Sequence, residues 1–270
     1  LIQLSNGKVT SLRWNKQNIR PGLIALGDSH ALYNFAGVAD AKIFWLGPVT
    51  MHRAARDGIR VLIPKNCRPN KGDFFVLSFG EIDCRAHVKR QSVLKETDTI
   101  EEVDNLCARF EAALTEFKAT CRANICLMSV GPYNPEFLDC SAYDSPEECR
   151  QDAKAIRDRI NQRLSQMGYP FIDYRDAFSN ADGSIKSDMS DGNVHIDHRL
   201  SEPILTALNL VTGVSYASRI PPWPYPRSLN EPPYVHPLKL LQKRLLHFTR
   251  PFRRRLGKLV PGRKTDRKHP

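Results

Sequence analysis

Five short apolar runs, separated by segments of helical periodicity, constrain this chain more than any other feature. They are Leu23–Leu26, Lys42–Leu46, Phe74–Phe79, Asn124–Val130 and Tyr169–Asp173. Each has the length of a strand and is too short for a buried helix. Phe74-Phe75-Val76-Leu77-Ser78-Phe79 is almost continuously apolar, the pattern of a strand covered on both faces. Ile59–Ile63 reads as a further short strand. Between the runs, Ile100, Val103, Leu106, Cys107, Phe110, Leu114 and Phe117 recur every three or four residues, which predicts an amphipathic helix from Thr99 to Lys118. Thr99 and Glu102 would form its capping box. Ser145-Pro146-Glu147-Glu148 opens a second helix, with Cys149, Ile156, Ile160, Leu164 and Met167 on one face. Shorter helices are expected over 30–37 and 201–210. Strands alternating with such helices predict an α/β fold: three layers, α/β/α, around a mostly parallel central sheet.

The chain has 270 residues, 41% hydrophobic and 26% charged, enough for one large domain and a tail. Its net charge of +11 is not spread evenly: residues 236–270 hold 12 Lys or Arg and one acid, Asp266, whereas residues 1–235 carry 28 of each sign. Prolines at 221, 222, 224, 226, 232, 233 and 237 mark a semi-rigid spacer. The expected organisation is a domain over 1–218, a linker over 219–237 and a basic tail over 238–270. Asn6-Gly7 suggests a hairpin near the start. No run reaches the ~18 apolar residues of a membrane span. No charged-then-apolar leader opens the sequence, which begins at Leu1 and is open to an upstream segment having been removed.

Seven cysteines, without a Cys-x-x-Cys pair, argue against a disulfide framework and against a zinc site. Cys107 and Cys149 fall on apolar helix faces as small hydrophobes, and a Cys140–Cys149 bridge is compatible only with export. The favoured location is a reducing one: cytoplasmic, with a possible peripheral membrane association. No metal or cofactor is expected.

The run Leu23–Leu26 ends in Gly27-Asp28-Ser29-His30. Gly27 would allow a sharp turn at the strand end, and Ser29 would sit at the carboxyl edge of the sheet, where open α/β sheets keep their ligands. The plainer alternative is a strand-to-helix turn with Asp28 or Ser29 as N-cap. At the end of the third long run, Gly80, Glu81, Asp83 and Arg85 gather at the same edge, with His87 just beyond; a local salt-bridged turn would account for them equally. The loop 176–200, rich in Asp, Ser, Gly and Asn, carries His195 and His198.

Together these segments resemble the SGNH (GDSL-type) hydrolase superfamily. Gly27-Asp28-Ser29 is similar to its nucleophile block, Phe79-Gly80-Glu81-Ile82-Asp83-Cys84-Arg85 falls where the family has Gly-x-Asn-Asp, and Asp191-Gly192-Asn193-Val194-His195 falls where it has its terminal Asp and His. The Gly-Asp-Ser-His and Gly-Glu-Ile-Asp-Cys-Arg forms resemble a subgroup associated with bacterial polysaccharides. The resemblance, over residues 23–212, implies an SGNH/flavodoxin-like sheet and acyl transfer from an ester. Ser29 would be the nucleophile, His195 its base and Asp191 the acid that orients it. His198 is the alternative base, and Asp197 could serve either histidine. Gly47, after the second strand, stands where the family has an oxyanion-hole glycine, or is a plain turn residue.

Two departures stand out. Asp191 precedes His195 by four residues where the family has three. Ile82 occupies the place of the oxyanion asparagine, a loss that typically costs roughly 2.7–4 kcal/mol in the transition state. Arg85, His87 or Asn34 could supply the missing donor. Two functions follow: a serine esterase or O-acyltransferase acting on an acyl, most simply acetyl, ester of a carbohydrate; or a catalytically lapsed fold that binds carbohydrate or recruits a membrane complex. In the tail, Leu238, Leu241, Leu245, Phe248, Phe252 and Leu256 alternate with Lys and Arg. That pattern suits an anionic membrane surface or a protein partner better than nucleic acid, which has no need of an apolar face.

Overall fold

In the computed structural model, which describes residues 20–219, every strand ends at the same edge of one sheet. The five strands are β1 (Leu23–Gly27), β2 (Lys42–Trp45), β3 (Phe74–Ser78), β4 (Asn124–Met128) and β5 (Phe171–Ile172). They are all parallel, in the order β2-β1-β3-β4-β5. The helices are α1 (Ser29–Phe35), α2 (Met51–Asp57), α3 (Ile59–Leu62), α4 (Val88–Lys95), α5 (Thr99–Thr120), α6 (Pro146–Gln166), α7 (Arg175–Phe178) and α8 (Glu202–Thr212). A π-helical turn, Asp83–His87, runs directly into α4.

The two-residue period of the strands divides their side chains between two cores. Ile24, Leu26, Phe75, Leu77, Ile125 and Leu127 face one side, where they meet Met51 and Ala54 of α2, Phe110 and Leu114 of α5, and Ile156 and Ile160 of α6. Leu23, Ala25, Val76, Cys126 and Met128 face the other, against Leu32 and Phe35 of α1, Phe178 of α7 and Leu208 of α8. This is the three-layer α/β/α arrangement expected from the apolar runs.

Four local expectations are corrected. Residues 59–63 form α3 rather than a strand: Ile59 is buried, Leu62 and Ile63 pack on the core, and Val61 is 74% exposed, which is helical rather than alternating spacing. The N-cap of α5 is Asp98, which accepts the amides of Ile100 and Glu101. Glu102 instead is buried and paired with Lys95 and Arg109. Ser145, by contrast, caps α6 by accepting the amide of Glu148. Cys149 is buried but bridged to Cys140, and the other five cysteines are free. Gly27 is not needed for a left-handed turn: a Cβ there would lie 1.9 Å from the Ser78 carbonyl oxygen of β3. The segments around Asn6-Gly7, the proline spacer beyond Arg219 and the basic tail lie outside the described residues.

The Gly27 contact is against backbone, so a side chain cannot be absorbed by a rotamer change. Gly27→Ala should therefore destabilise the protein by at least about 1–3 kcal/mol, the usual cost of overpacking, read from the midpoint of denaturant unfolding.

Candidate functional site

Parallel register places the site. Gly27 pairs with Trp45 of β2 and with Ser78 of β3, so Ser29, Gly47 and Gly80 stand level, two residues beyond the pairs. In this strand order the crevice between β1 and β3 is the topological switch point at which ligands bind. Asp28 is the N-cap of α1 and accepts the His30 amide at 2.8 Å. The hydroxyl of Ser29, the first residue of the helix, is thereby left to point elsewhere.

It points to His195. Ser29 Oγ is 2.8 Å from His195 Nε2, and His195 Nδ1 is 3.0 Å from Asp191 Oδ2. The loop reconciles the four-residue spacing through a tight turn at Gly192, whose φ is +76°. Asp191 Oδ1 accepts the amides of Asn193 and His195, and the Asp191 amide donates to the His195 carbonyl. The second carboxylate oxygen is then free for the imidazole. Tyr33 of α1 stacks on the His195 ring at 3.9 Å, only 6° from parallel.

His198 lies apart from this line. Its ring is edge-on to Tyr33 at 6.1 Å, and its Nδ1 is 3.8 Å from Asp197. Asp197 is held by the Arg199 guanidinium rather than by either histidine ring at hydrogen-bond distance.

The segment after β3 is committed to structure. Gly80, at φ +114°, packs where a Cβ would meet Val130 and Met51. Glu81 is buried and bound by Arg85 and by Arg157 of α6. Asp83, fully buried, accepts the amides of Met51 and His52 at 2.6 and 3.1 Å and so anchors the start of α2. Ile82 presents no donor. Of the proposed replacements, Arg85 bonds Glu81, His87 packs its ring 4.3 Å from that of His52, and Asn34 is buried and donates to Tyr174. None is turned to Ser29 by any of these contacts. The backbone donors at this level are the amides of Ser29, which has no acceptor within its own helix, and of Gly47, whose φ of +79° suits glycine.

Electrostatics distinguish the histidines. Burial is the main force lowering the pKa of His195, with His30 adding to it and Asp191 opposing it. His195 is thus a neutral base at pH 7. His30 moves the other way: burial disfavours its charge, but Asp28, Glu81 and the Val194 carbonyl carry it up to about 8. Burial would raise Glu81, yet His30, Arg157 and Arg85 hold it below the usual carboxylate range. Asp83 has amide donors but no cation against it, and burial pushes it up to about 7.

Sequence reasoning missed His30, Tyr33 and Arg157. His30 Nε2 is 3.1 Å from the Val194 carbonyl oxygen. Arg157 had a visible signal, a charge on the apolar stripe of α6 between Ile156 and Ile160. Tyr33 had only its place one turn after Ser29. Among the described residues no cluster of three His, Cys, Asp or Glu could hold a metal ion, and no helix is long and apolar enough to cross a membrane.

No family model and no curated protein matches the chain. Solved structures do. A phospholipase A1 from Streptomyces albidoflavus NA297 is 18% identical, covering 71% of this chain and 99% of that one, at a TM-score of 0.43. A catalytic mutant of an acetylxylan esterase from Geobacillus stearothermophilus is 16% identical, covering 74% and 97%, at 0.44. An extracellular lipase from Streptomyces rimosus is 14% identical, covering 71% and 100%, at 0.41. At such values these are likenesses only, and the functional argument rests on the site.

The geometry predicts unequal histidines. His195→Ala should lower any Ser29-dependent rate by about 10³-fold or more, in the range seen when members of such triads are removed, while His198→Ala should cost less than tenfold. Steady-state kinetics of the two variants decides between them, and the reverse order would make His198 the base.

Proposed function

We propose that the protein is a serine esterase or O-acyltransferase. The observation that carries this is the continuous line from Ser29 Oγ through His195 to Asp191, at 2.8 and 3.0 Å. Ser29 attacks the acyl carbonyl as its proton passes to His195 Nε2, and Asp191 stabilises the imidazolium. The amides of Ser29 and Gly47 bind the developing oxyanion, without a side-chain donor at Ile82. The proton on His195 then goes to the leaving alcohol. Water releases the acyl group in hydrolysis, or a second hydroxyl accepts it in transfer.

A carbohydrate ester, acetyl in the simplest case, is the substrate we favour. A cavity of about 170 Å³ at the carboxyl edges of β4 and β5, lined by Lys154, Arg157, Asp158, Arg175 and Asn180, supports this, because its paired charges suit hydroxyl groups. Tyr133 and Asn134 lie between it and the loop of His195: Tyr133 lines the cavity, and Asn134 donates to the Asn193 carbonyl. Ile82 favours the second reading, a lapsed enzyme that retains carbohydrate binding. The Cys140–Cys149 bridge favours an oxidising compartment over the reducing one expected from cysteine spacing.

Labelling by a fluorophosphonate separates the two readings. An assembled triad should give one adduct per chain at Ser29, with Ser29→Ala unlabelled and inactive on p-nitrophenyl acetate at an unchanged melting temperature. An unlabelled wild-type protein would leave the lapsed reading standing.

For the tail over 238–260, outside the described residues, we propose attachment to an anionic membrane surface. Each Lys or Arg near such a surface contributes about 1 kcal/mol, weakening with salt. Buried leucines should add the apolar part. Co-sedimentation with anionic liposomes should fall with salt and when the leucines are replaced by serine at constant charge. Binding indifferent to the leucines would reduce the tail to a polybasic segment, and no binding at all would point to a protein partner.

A further inference from the structure

Two side chains from outside the loop of His195 bond to its backbone carbonyls. Asn134 reaches Asn193 at an exposed position, and His30 reaches Val194 from a buried one. Val194 immediately precedes His195, and His30 immediately follows Ser29, so this bond joins the neighbours of the two groups that exchange a proton. Only an N–H can face a carbonyl oxygen, so His30 Nε2 is the donor. Its Nδ1 lies 3.4 Å from Asp28 Oδ1, an ion-pair distance. A neutral ring donating from Nε2 would turn the Nδ1 lone pair toward that carboxylate, so the geometry calls for a proton on both nitrogens.

The charged groups around His30 come from three elements. Asp28 precedes it at the end of β1, Glu81 approaches from the segment after β3 with Arg157 and Arg85 behind it, and His195 faces it from the loop with ring centroids 4.9 Å apart. The two carboxylates hold the cation in place. The cation in turn disfavours a second positive charge on His195, and it is among the causes that lower that residue's pKa.

We propose that His30 is a positioning residue: its imidazolium ties Val194, and with it the loop of His195, to the start of α1, and its charge keeps His195 in the neutral form that accepts the Ser29 proton. This rests on the esterase reading for its consequence in catalysis, but its physical content is separate. The clamp governs geometry, where a displacement of about 1 Å can cost 10²-fold. The charge governs the pH at which His195 becomes available.

Two variants separate these effects. His30→Gln keeps an N–H donor for Val194 without the charge, and His30→Ala removes both. At pH 8, His30→Ala should lose at least about tenfold in kcat with little change in KM, and His30→Gln should recover most of it. In both, the acid limb of kcat/KM should move to higher pH. The ratio of wild type to His30→Gln should then be about threefold larger at pH 6 than at pH 8, the effect of about half a pKa unit. The His195 ring, followed by NMR titration, should show the same upward shift, and the melting temperature of each variant reports its folding. An unchanged acid limb and an unchanged His195 titration in His30→Gln would overturn the charge role. Wild-type kcat in His30→Ala would overturn the clamp. The NMR titration needs no turnover, so a wild-type protein that hydrolyses no ester would remove the esterase reading without deciding the relation between His30 and His195.

Discussion

The site depends on how closely β1 approaches β3. Gly27 leaves no room for even a methyl group against the Ser78 carbonyl oxygen, and this contact sits at the last paired position of both strands. One residue later Asp28 turns its carboxylate back to cap α1. One further on, Ser29 emerges at the switch point. Had Ser29 taken the capping role, its hydroxyl would face its own helix, so the division of labour between Asp28 and Ser29 is what leaves a serine available to His195.

The same edge concentrates ionisable groups. Asp28, His30, Glu81, Asp83 and Arg157 are all buried. Isolated charges in such a place are costly, and proteins answer with partners or with a shifted pKa. Both answers occur here within three residues of each other. Glu81 has three cations near it and stays ionised, whereas Asp83, with only amide donors, is pushed up to about 7. The difference lies in the surroundings rather than in the residue type: Glu81 faces α6 and the nucleophile, while Asp83 faces the start of α2.

The legible parts of the sequence were those with local periodicity. The strand runs and the stripes of α5 and α6 read directly because their apolar positions repeat over enough residues to exclude alternatives. Residues 59–63 did not, since five residues with a single Arg fit either period and only the exposure of Val61 decides. The cap of α5 was misplaced by one residue because Asp98 and Thr99 are both good caps, and Glu102 was needed on the buried side by Lys95 and Arg109. At the site, Ser29, Asp191 and His195 could be singled out as residue types in order along the chain. What holds them could not, because His30 meets Val194 across 164 positions and Arg157 meets Glu81 across 76.

The isoleucine at 82 bears on rate more than on mechanism. A side-chain donor to the oxyanion is worth about 2.7–4 kcal/mol, which corresponds to roughly 10²–10³ in rate. Without it, the Ser29 and Gly47 amides alone would carry that load, leaving a slow catalyst with an intact proton path. Decay predicts something different. A site kept only for its shape would gain from losing the buried charge of His30 and from a looser loop at Gly192, since neither helps a sugar to bind. Instead the loop is bonded from both sides, Tyr33 lies flat on the imidazole, and His195 is held neutral between Ser29 and Asp191. That arrangement has a physical use only if a proton moves through it, and it argues for a modest enzyme over a lapsed one.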